Sequence, residues 1–413
     1  MQTVKRFPTT TGQSWLEMSS FKDHMFRPHT EIEDKYDYVI VGAGYGGYGV
    51  ASHLAELCPD AKIAVFEALK LGNGDSGKNA GFIIDVPHNF GDQGNSTFDD
   101  NFMYYKLNTF IISYMRKKIE ESGIKVDWDP CGKYLCCVEP KSFKMMEEEA
   151  RDLDKMKVHY EIYEGEDLAR RIGTHYYKKA LYTPGTLLVN PADVLRGLYS
   201  VLPENVSVFE ECPVMGIANG SPAHVYLLNG KEITTKVVVV TGGPFIEEFG
   251  IVKHTFCPVL SYGAFTRQLN DREMHFFEGV KPWGCTAGHP AGTTVRFTTD
   301  NRIFVRNGFS YATSLTTSHQ RNPQAPQGVR GSLPRNPECQ FRIHLRRHDQ
   351  HDHELPASPD QAAPQHLRLG FRRRRRCRQD HPARPLPRGM DLRHRQRCPA
   401  LPPAHRHPKP PAA

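Results

Sequence analysis

Apolar positions change their period several times early in the chain. Asp37-Tyr-Val-Ile-Val41 is a short, β-branched apolar run, the pattern of a strand buried on both faces of a parallel sheet. The glycine-rich Gly42-Ala-Gly44-Tyr-Gly-Gly47 follows without a gap, and a helix is expected from Tyr48 to about Leu57. Lys62-Ile-Ala-Val-Phe66 then reads as a second strand, ending at the acid Glu67. Farther on, helical spacing marks Phe102 to Ser122 and the charged stretch Met145 to Met156, with a strand from Lys133 to Val138 between them. Asn190-Pro191 opens another helix, with proline well placed in the first turn. Strands follow at Val206 to Glu210, at His224 to Leu228 before the Asn229-Gly230 turn, and at Lys236 to Val240, which runs into Thr241-Gly242-Gly243. Parallel-type strands alternating with helices predict an α/β fold.

The order strand, glycines, helix, strand, acid also carries chemistry. Gly42 permits a tight turn, Gly44 lets the backbone approach a pyrophosphate, and Gly47 lets the helix pack close to the sheet with its first N–H groups aimed at the anion. Glu67 stands where a carboxylate accepts both hydroxyls of an adenosine ribose. A glycine-rich turn in some other α/β protein is the competing reading, and the complete order favours the dinucleotide. Gly72-Asn-Gly74-Asp-Ser76-Gly77-Lys78-Asn79-Ala80-Gly81-Phe82 is too rich in glycine for a regular element, so its backbone is expected to be shaped around a ligand.

At 413 residues the chain has room for two or three domains. The net charge of +7 is unevenly spread: from His319 onward 19 Arg and 1 Lys face 7 acids, a net of +13, leaving 7 − 13 = −6 for the preceding body. Seven cysteines precede the tail with no metal-ligand spacing, and reduced thiols are the simplest reading. No charged-then-apolar signal opens the chain and no apolar run reaches the length of a membrane span, so a cytoplasmic protein without a membrane partner is expected.

Val39 to Gly47, Glu67, the Ser76-Gly-Lys-Asn-Ala-Gly81 loop and Thr241-Gly-Gly243 together resemble the FAD-dependent amine and amino-acid oxidases, the group of D-amino-acid, glycine and sarcosine oxidases. Within that group the loop and the preceding Gly72-Asn-Gly74 look most like γ-glutamylputrescine oxidoreductases. The resemblance implies a Rossmann-like FAD-binding domain assembled from residues 36–85 and 177–244, and an α+β substrate domain with a mixed or antiparallel sheet from 86–176 and 245–318, after an N-terminal extension, 1–35. It implies that Gly42, Gly44 and Gly47 hold the pyrophosphate, that Glu67 and the adjacent Ala68 meet the ribose, and that Ser76, Lys78, Asn79, Ala80, Gly81 and Phe82 lie along the flavin. Val214 matches the position whose backbone meets the adenine, and Thr241, Gly242 and Gly243 close the second strand end. The family usually has arginine where this chain has Lys78; lysine keeps the charge and loses the planar fork. The implied reaction moves hydride from the carbon beside an amine to the flavin, leaves an imine for water to hydrolyse, and passes electrons to oxygen or another acceptor. The implied partner is a small-molecule amine, γ-glutamylputrescine-like or a small amino acid; a dehydrogenase feeding a quinone is the nearest alternative. No catalytic side chain or metal is assigned.

Several residues keep two readings. Ser76 also suits a helix cap and Lys78 a solvated charge, Val214 suits the core, and the aromatics from Tyr262 to Phe277 suit sheet packing. Arg296, Arg302 and Arg306 lie on apparent strands, where one can pair with a substrate carboxylate or all can be ordinary surface arginines.

From His319 the composition changes: 16 of the 31 prolines, half of the 20 histidines and the run Arg372 to Arg376, with Phe341 and Phe371 as its aromatics. Such a segment lacks the apolar surface to fold and is expected to be disordered. One reading is a basic nucleic-acid-binding tail, which would make the protein a non-catalytic binder. A translation out of frame explains more. Back-translated and read one base later, His319 to Phe341 allows INEIRKHRKAFEARFPAIPNANFE, and Phe371 to His394 allows FDGVGVADKTTLLGRYLAEWICGI, a glycine turn followed by an amphipathic helix.

Overall fold

The computed structural model describes residues 2–4, 8, 15–87, 97–251, 259–287 and 292–311, all within one compact unit. The tail expected from His319 onward lies outside the described residues.

The first sheet has the order β1-β11-β12-β13-β2-β3-β10. Its centre is parallel: β2 (Lys35–Val41) lies between β3 (Ile63–Phe66) and β13 (Glu232–Val240), and β10 (Val206–Phe209) lies beyond β3. β11 (Val214–Ala218) and β12 (Ala223–Leu227) form an antiparallel meander into β13, and β1 (Gln2–Thr3) pairs with β11. The strand period of two sorts β2 between two cores. Ile40 faces helix α1 (Tyr45–Leu57), where Tyr48, Ala51 and Ala55 pack with Ile63 and Val65, while Val39 and Val41 face the meander with Phe66, Val225 and Ile233. β3 is buried along its whole length, as expected of a strand covered on both faces.

The second sheet has the order β14-β17-β16-β15-β6-β8-β7 and is antiparallel except where β15 (Trp283–Ala287) meets β6 (Lys133–Cys137). Its other strands are β7 (Glu161–Glu164), β8 (Lys179–Thr183), β14 (Val259–Phe265), β16 (Thr294–Phe297) and β17 (Ile303–Tyr311). A three-stranded sheet joins β4 (Phe82–Ile83), β9 (Leu187–Val189) and β5 (Trp128–Asp129). The remaining helices are α2 (Asp75–Lys78), α3 (Phe98–Ser122), α4 (Pro140–Met156), α5 (Gly165–Ile172), α6 (Pro191–Ser200) and α7 (Asp271–Met274). Asn190 caps α6 through Oδ1, which accepts from the Ala192 and Asp193 N–H groups, with Pro191 in the first turn as the sequence indicates.

Three features differ from expectation. α1 begins at Tyr45 rather than Tyr48, so the last glycines of the turn are helical. The glycine-rich loop contains a single helical turn, α2, where an irregular backbone was expected. β8, within the stretch 177–244, pairs with β6 and β7 in the second sheet. β13 has a further property: β12 covers it only from Glu232 to Thr235, whereas β2 pairs with it up to Val240. Among the described residues no strand bonds the outer edge of Lys236 to Val240, and Val237 is 44% exposed.

The N-terminal segment is fastened by a buried guanidinium. Arg196 on α6 is fully buried and its Nη1 donates to both carboxylate oxygens of Glu210 at 3.0 and 2.8 Å and to the Leu71 carbonyl at 2.9 Å. Its Nε and Nη2 donate to the Phe21 and His24 carbonyls at 2.8 and 2.6 Å. Removing the cation strands a nearly buried carboxylate and three carbonyls. Arg196→Met is therefore expected to lose about 3–5 kcal/mol, measured as a lowered urea midpoint; an unchanged midpoint would contradict this role for the pair.

Candidate functional site

The ends of β2 and β13 are stitched together beside the start of α1. The Thr241 N–H donates to the Val41 carbonyl at 2.8 Å, and its hydroxyl donates to the Gly42 carbonyl at 2.8 Å. Gly42 turns the chain with a φ of +102°. α1 then comes so close that a Cβ on Gly47 would stand 2.1 Å from the Gly42 oxygen and 3.1 Å from the Thr241 hydroxyl. Buried Tyr199 completes this corner by donating its hydroxyl to the Gly44 carbonyl at 3.2 Å. Residues of sequence-distant strands thus meet at one helix N-terminus, where unpaired N–H groups and the helix dipole favour an anion.

Ser76 reaches this N-terminus from α2. Its hydroxyl accepts from the Tyr45 N–H at 3.2 Å, and a Cβ on Gly44 would stand 2.7 Å from it. The contact fits the helix-cap reading of Ser76, and the helix it meets is α1. Glu67 joins from the end of β3: Oε2 accepts from the Ala43 N–H at 2.8 Å and Oε1 from the Leu69 N–H at 2.9 Å. Burial pushes its carboxyl up from the usual range, opposed by the backbone N–H groups of Ala43, Leu69 and Ala68. Val214 lies within the core at the start of β11, and its segment passes Glu67 through a 2.8 Å bond from the Cys212 N–H to the Glu67 carbonyl. Gly242 and Gly243 lead from β13 into a turn of 3-10 helix, Gly243–Phe249.

The stretch Asn79–Phe82 is shaped by its own side chain and by one residue that sequence reasoning gave a different role. Asn79 closes the turn, with Nδ2 donating to the Ser76 carbonyl at 2.7 Å and Oδ1 accepting from the Gly81 N–H at 2.8 Å. Arg296 on β16 is buried beneath this turn. Its Nη1 donates to the carbonyls of Ala80, Gly81 and Val189 at 2.8, 3.2 and 2.9 Å, and its guanidinium lies against the rings of Trp15, at 4.9 Å, and Phe82, at 5.7 Å. Burial lowers its pKa to about 10, still charged at neutral pH. The sequence left Arg296 two readings, partner of a substrate carboxylate or ordinary surface arginine; at 2% exposure it is no surface residue, and its Nη1 is taken up by backbone carbonyls. Arg302 pairs with Asp300 at 2.7 Å just ahead of β17, and Arg306 donates to the Thr294 hydroxyl at 2.6 Å. Lys78 ends α2 half-buried, and that burial lowers its pKa. Trp15 donates its indole N–H to the Asn79 carbonyl at 2.8 Å. Tyr199 sits in an apolar helix pattern and left no sequence signal.

A parallel sheet whose strand ends converge on a glycine turn, with an acid at the next strand end, defines a dinucleotide-binding α/β protein carrying a second, largely antiparallel sheet. The FAD dependent oxidoreductase (DAO) family model matches residues 37–338, and the chain belongs to this family. Gamma-glutamylputrescine oxidoreductase of Escherichia coli is 25% identical over 214 residues, 51% of this chain and 49% of that protein. A probable oxidoreductase, OrdL, of Haemophilus influenzae is 24% identical over 211 residues, 49% of this chain and 47% of its own length. The chain thus spans about half the length of the curated relatives it matches. Among solved structures, glycine oxidase from Geobacillus kaustophilus shares the fold with a TM-score of 0.55 at 16% identity, covering 68% of this chain and 72% of that one. L-amino acid deaminase from Proteus myxofaciens gives 0.54 at 20% identity, covering 73% and 64%.

The corner at Gly47 separates packing from propensity. Gly47→Ala is expected to destabilise by about 1–3 kcal/mol through overpacking. Gly49→Ala, with open space about it, is expected to be neutral or to stabilise by up to about 1 kcal/mol. Thermal denaturation of the two variants side by side checks the contrast.

Proposed function

We propose that this protein holds FAD at the glycine turn and uses it to oxidise the carbon–nitrogen bond of a small amine or amino acid, with a γ-glutamylputrescine-like amine as the leading substrate class. The observation that carries the reading is the convergence of Gly42, Gly44, Gly47, Ser76, Glu67 and Thr241 on one helix N-terminus in a chain of the FAD-dependent family. The fit is supported by the close approach at Gly44, where a Cβ would stand 2.7 Å from the Ser76 hydroxyl. In this reading the first N–H groups of α1 hold the pyrophosphate, Glu67 accepts the ribose hydroxyls, the Val214 backbone meets the adenine, and Asn79 to Phe82 lie along the ring system with Lys78 and Gly242–Gly243 beside it. Bound there, the flavin supplies a two-electron acceptor. The chain's own part is to orient the substrate carbon and exclude water, and Arg296 fixes the loop that does so by holding three of its neighbouring carbonyls. No side-chain acid or base is required, because the amine reacts in its neutral form. An amine-dependent peroxide signal tests the oxidase chemistry, and dye reduction without peroxide assigns a dehydrogenase instead.

Glu67 gives a test with a binding readout. Glu67→Gln is expected to weaken FAD affinity by about 10- to 100-fold, the range for a hydrogen bond to a charged group, read by quenching of FAD fluorescence. The folded-state pKa of Glu67 is raised, so its proton is taken up above the ordinary carboxylate range as pH falls. That uptake favours the unliganded fold toward lower pH and removes the ribose acceptor. FAD affinity should therefore fall as the pH is lowered through the raised range of this carboxyl in the parent chain and stay flatter in Glu67→Gln.

We further propose that the chain from about His319 is the out-of-frame reading of a segment that belongs to this site. The uncovered edge of Lys236 to Val240 supports it, as an apolar parallel strand ending at the glycine turn with no neighbour among the described residues. A cavity of about 540 Å³ beside that edge is lined by Ile217, Ala218, Val238, Val240, Phe249 and Ile251, among others. Sequencing the codons from Thr316 to Arg321 tests the frame, at a point inside the family match, which runs to residue 338. Removing one base near Ser318 is expected to give a yellow, soluble protein, whereas the chain as encoded binds FAD poorly and aggregates. A genuine frame with a yellow, active protein would overturn this proposal and leave the flavin assignment standing.

A further inference from the structure

α3 carries apolar side chains on two faces. Ile112 and Met115 are buried, and Phe102, Tyr105 and Ile119 pack half-buried against the cores. On its outer side Met103, Tyr104, Leu107, Phe110 and Ile111 are between 42% and 67% exposed. Their spacing of three, four and seven residues sets them in one stripe along the helix. Tyr114 extends it, its ring stacked on that of Phe110 with centroids 6.4 Å apart. A contiguous apolar face of this kind marks an interaction surface.

The charges around the stripe select the partner. From Thr97 to Gly123 there are four acids, Asp99, Asp100, Glu120 and Glu121, and four bases, Lys106, Arg116, Lys117 and Lys118. A membrane-surface helix needs a basic flank, and this helix has no net charge. Asp99 and Asp100 stand in the first turn, and Arg116 to Lys118 stand one turn before the end, followed by Glu120 and Glu121, with Lys118 held by Glu56 at 2.5 Å. Asp99 and Lys117 stand 18 residues apart, about five full turns, which puts them on the same flank of the stripe. Asp99 forms no ion pair among the described residues, and Lys117 meets Glu121 at 3.6 Å with both side chains more than half exposed.

We propose that α3 is a homodimer interface, in which a second copy of the helix lies antiparallel across the first about a two-fold axis beside Leu107 and Phe110. In this register Leu107 packs on Phe110 of the partner subunit, Met103 on Tyr114 of the partner subunit, and Asp99 faces Lys117 of the partner subunit. The pattern is self-complementary, as an isologous contact requires, with apolar layers at the centre and opposite charges at each end. The proposal rests on the exposed stripe and its charges and is independent of the flavin reading.

Sedimentation velocity of the full chain over a concentration series tests it, with the frame-restored chain as the parent if the encoded one aggregates. The parent chain is expected to form dimers, and Phe110→Glu to weaken association by at least about 100-fold, as for a central interface residue. Circular dichroism should show unchanged helix content, and Leu107→Lys reads the same face if Phe110→Glu does not fold. Asp99→Lys is expected to weaken the dimer by about 3- to 10-fold, and adding Lys117→Glu to restore it. A parent chain that stays monomeric up to about 100 μM, above the micromolar affinity that a specific interface supports, would overturn the proposal. So would a dimer indifferent to Phe110→Glu and Leu107→Lys, or a charge swap that restores nothing. A monomer that binds neutral phosphatidylcholine vesicles through Phe110 would overturn it in favour of a lipid surface.

Discussion

The fold depends on one close approach, the contact between the backbone of Gly47 and the carbonyl of Gly42. With 2.1 Å between that oxygen and the place a Cβ would take, α1 sits against the turn that ends β2. Thr241 then ties the end of β13 to the same turn through the Gly42 and Val41 carbonyls. Because three elements are fixed at one corner, the first N–H groups of α1, the Glu67 carboxylate and the Ser76 hydroxyl occupy a space of a few ångströms. Any larger residue at Gly47 moves the helix, and with it every donor that faces the corner.

Two buried guanidinium groups support this arrangement in different ways. Arg196 has a carboxylate partner, Glu210, and uses its remaining donors to fasten the N-terminal segment and Leu71 to α6. Arg296 has carbonyl partners, and its Nε has no hydrogen-bond partner among the described residues. Burial of a cation without a bonded counter-charge is costly, which is why its pKa falls while that burial persists. Three carbonyls and the faces of Trp15 and Phe82 offset that cost. The cost is consistent with a residue kept to shape a loop, since an apolar side chain would leave the Ala80, Gly81 and Val189 carbonyls less well satisfied.

Much of the first sheet was legible in the sequence because its signals are local. β3 and the C-terminal ends of β2 and β13 are apolar runs, the glycine turn follows one of them directly, and Asn190-Pro191 marks the cap and first residue of α6. What escaped reading depends on partners distant in sequence. β8 looks like any apolar strand, and its place in the second sheet is set by pairing with β6 and β7. Arg296 reads as a strand arginine until the fold brings it under Ala80, more than two hundred residues earlier. Tyr199 and Trp15 likewise acquire their roles only through contacts with Gly44 and Asn79. The outer face of α3 was visible as apolar spacing, but nothing in that spacing told a buried stripe from an exposed one.

The central claim is that the first N–H groups of α1 hold the flavin nucleotide's pyrophosphate. Residue-resolved hydrogen exchange, with and without FAD, tests it most directly. The account predicts slowed exchange at the amides of Gly44, Gly46 and Gly47 on binding, with β16 and β17 little changed. Tight binding of FAD that leaves the exchange of those amides unaltered would contradict it.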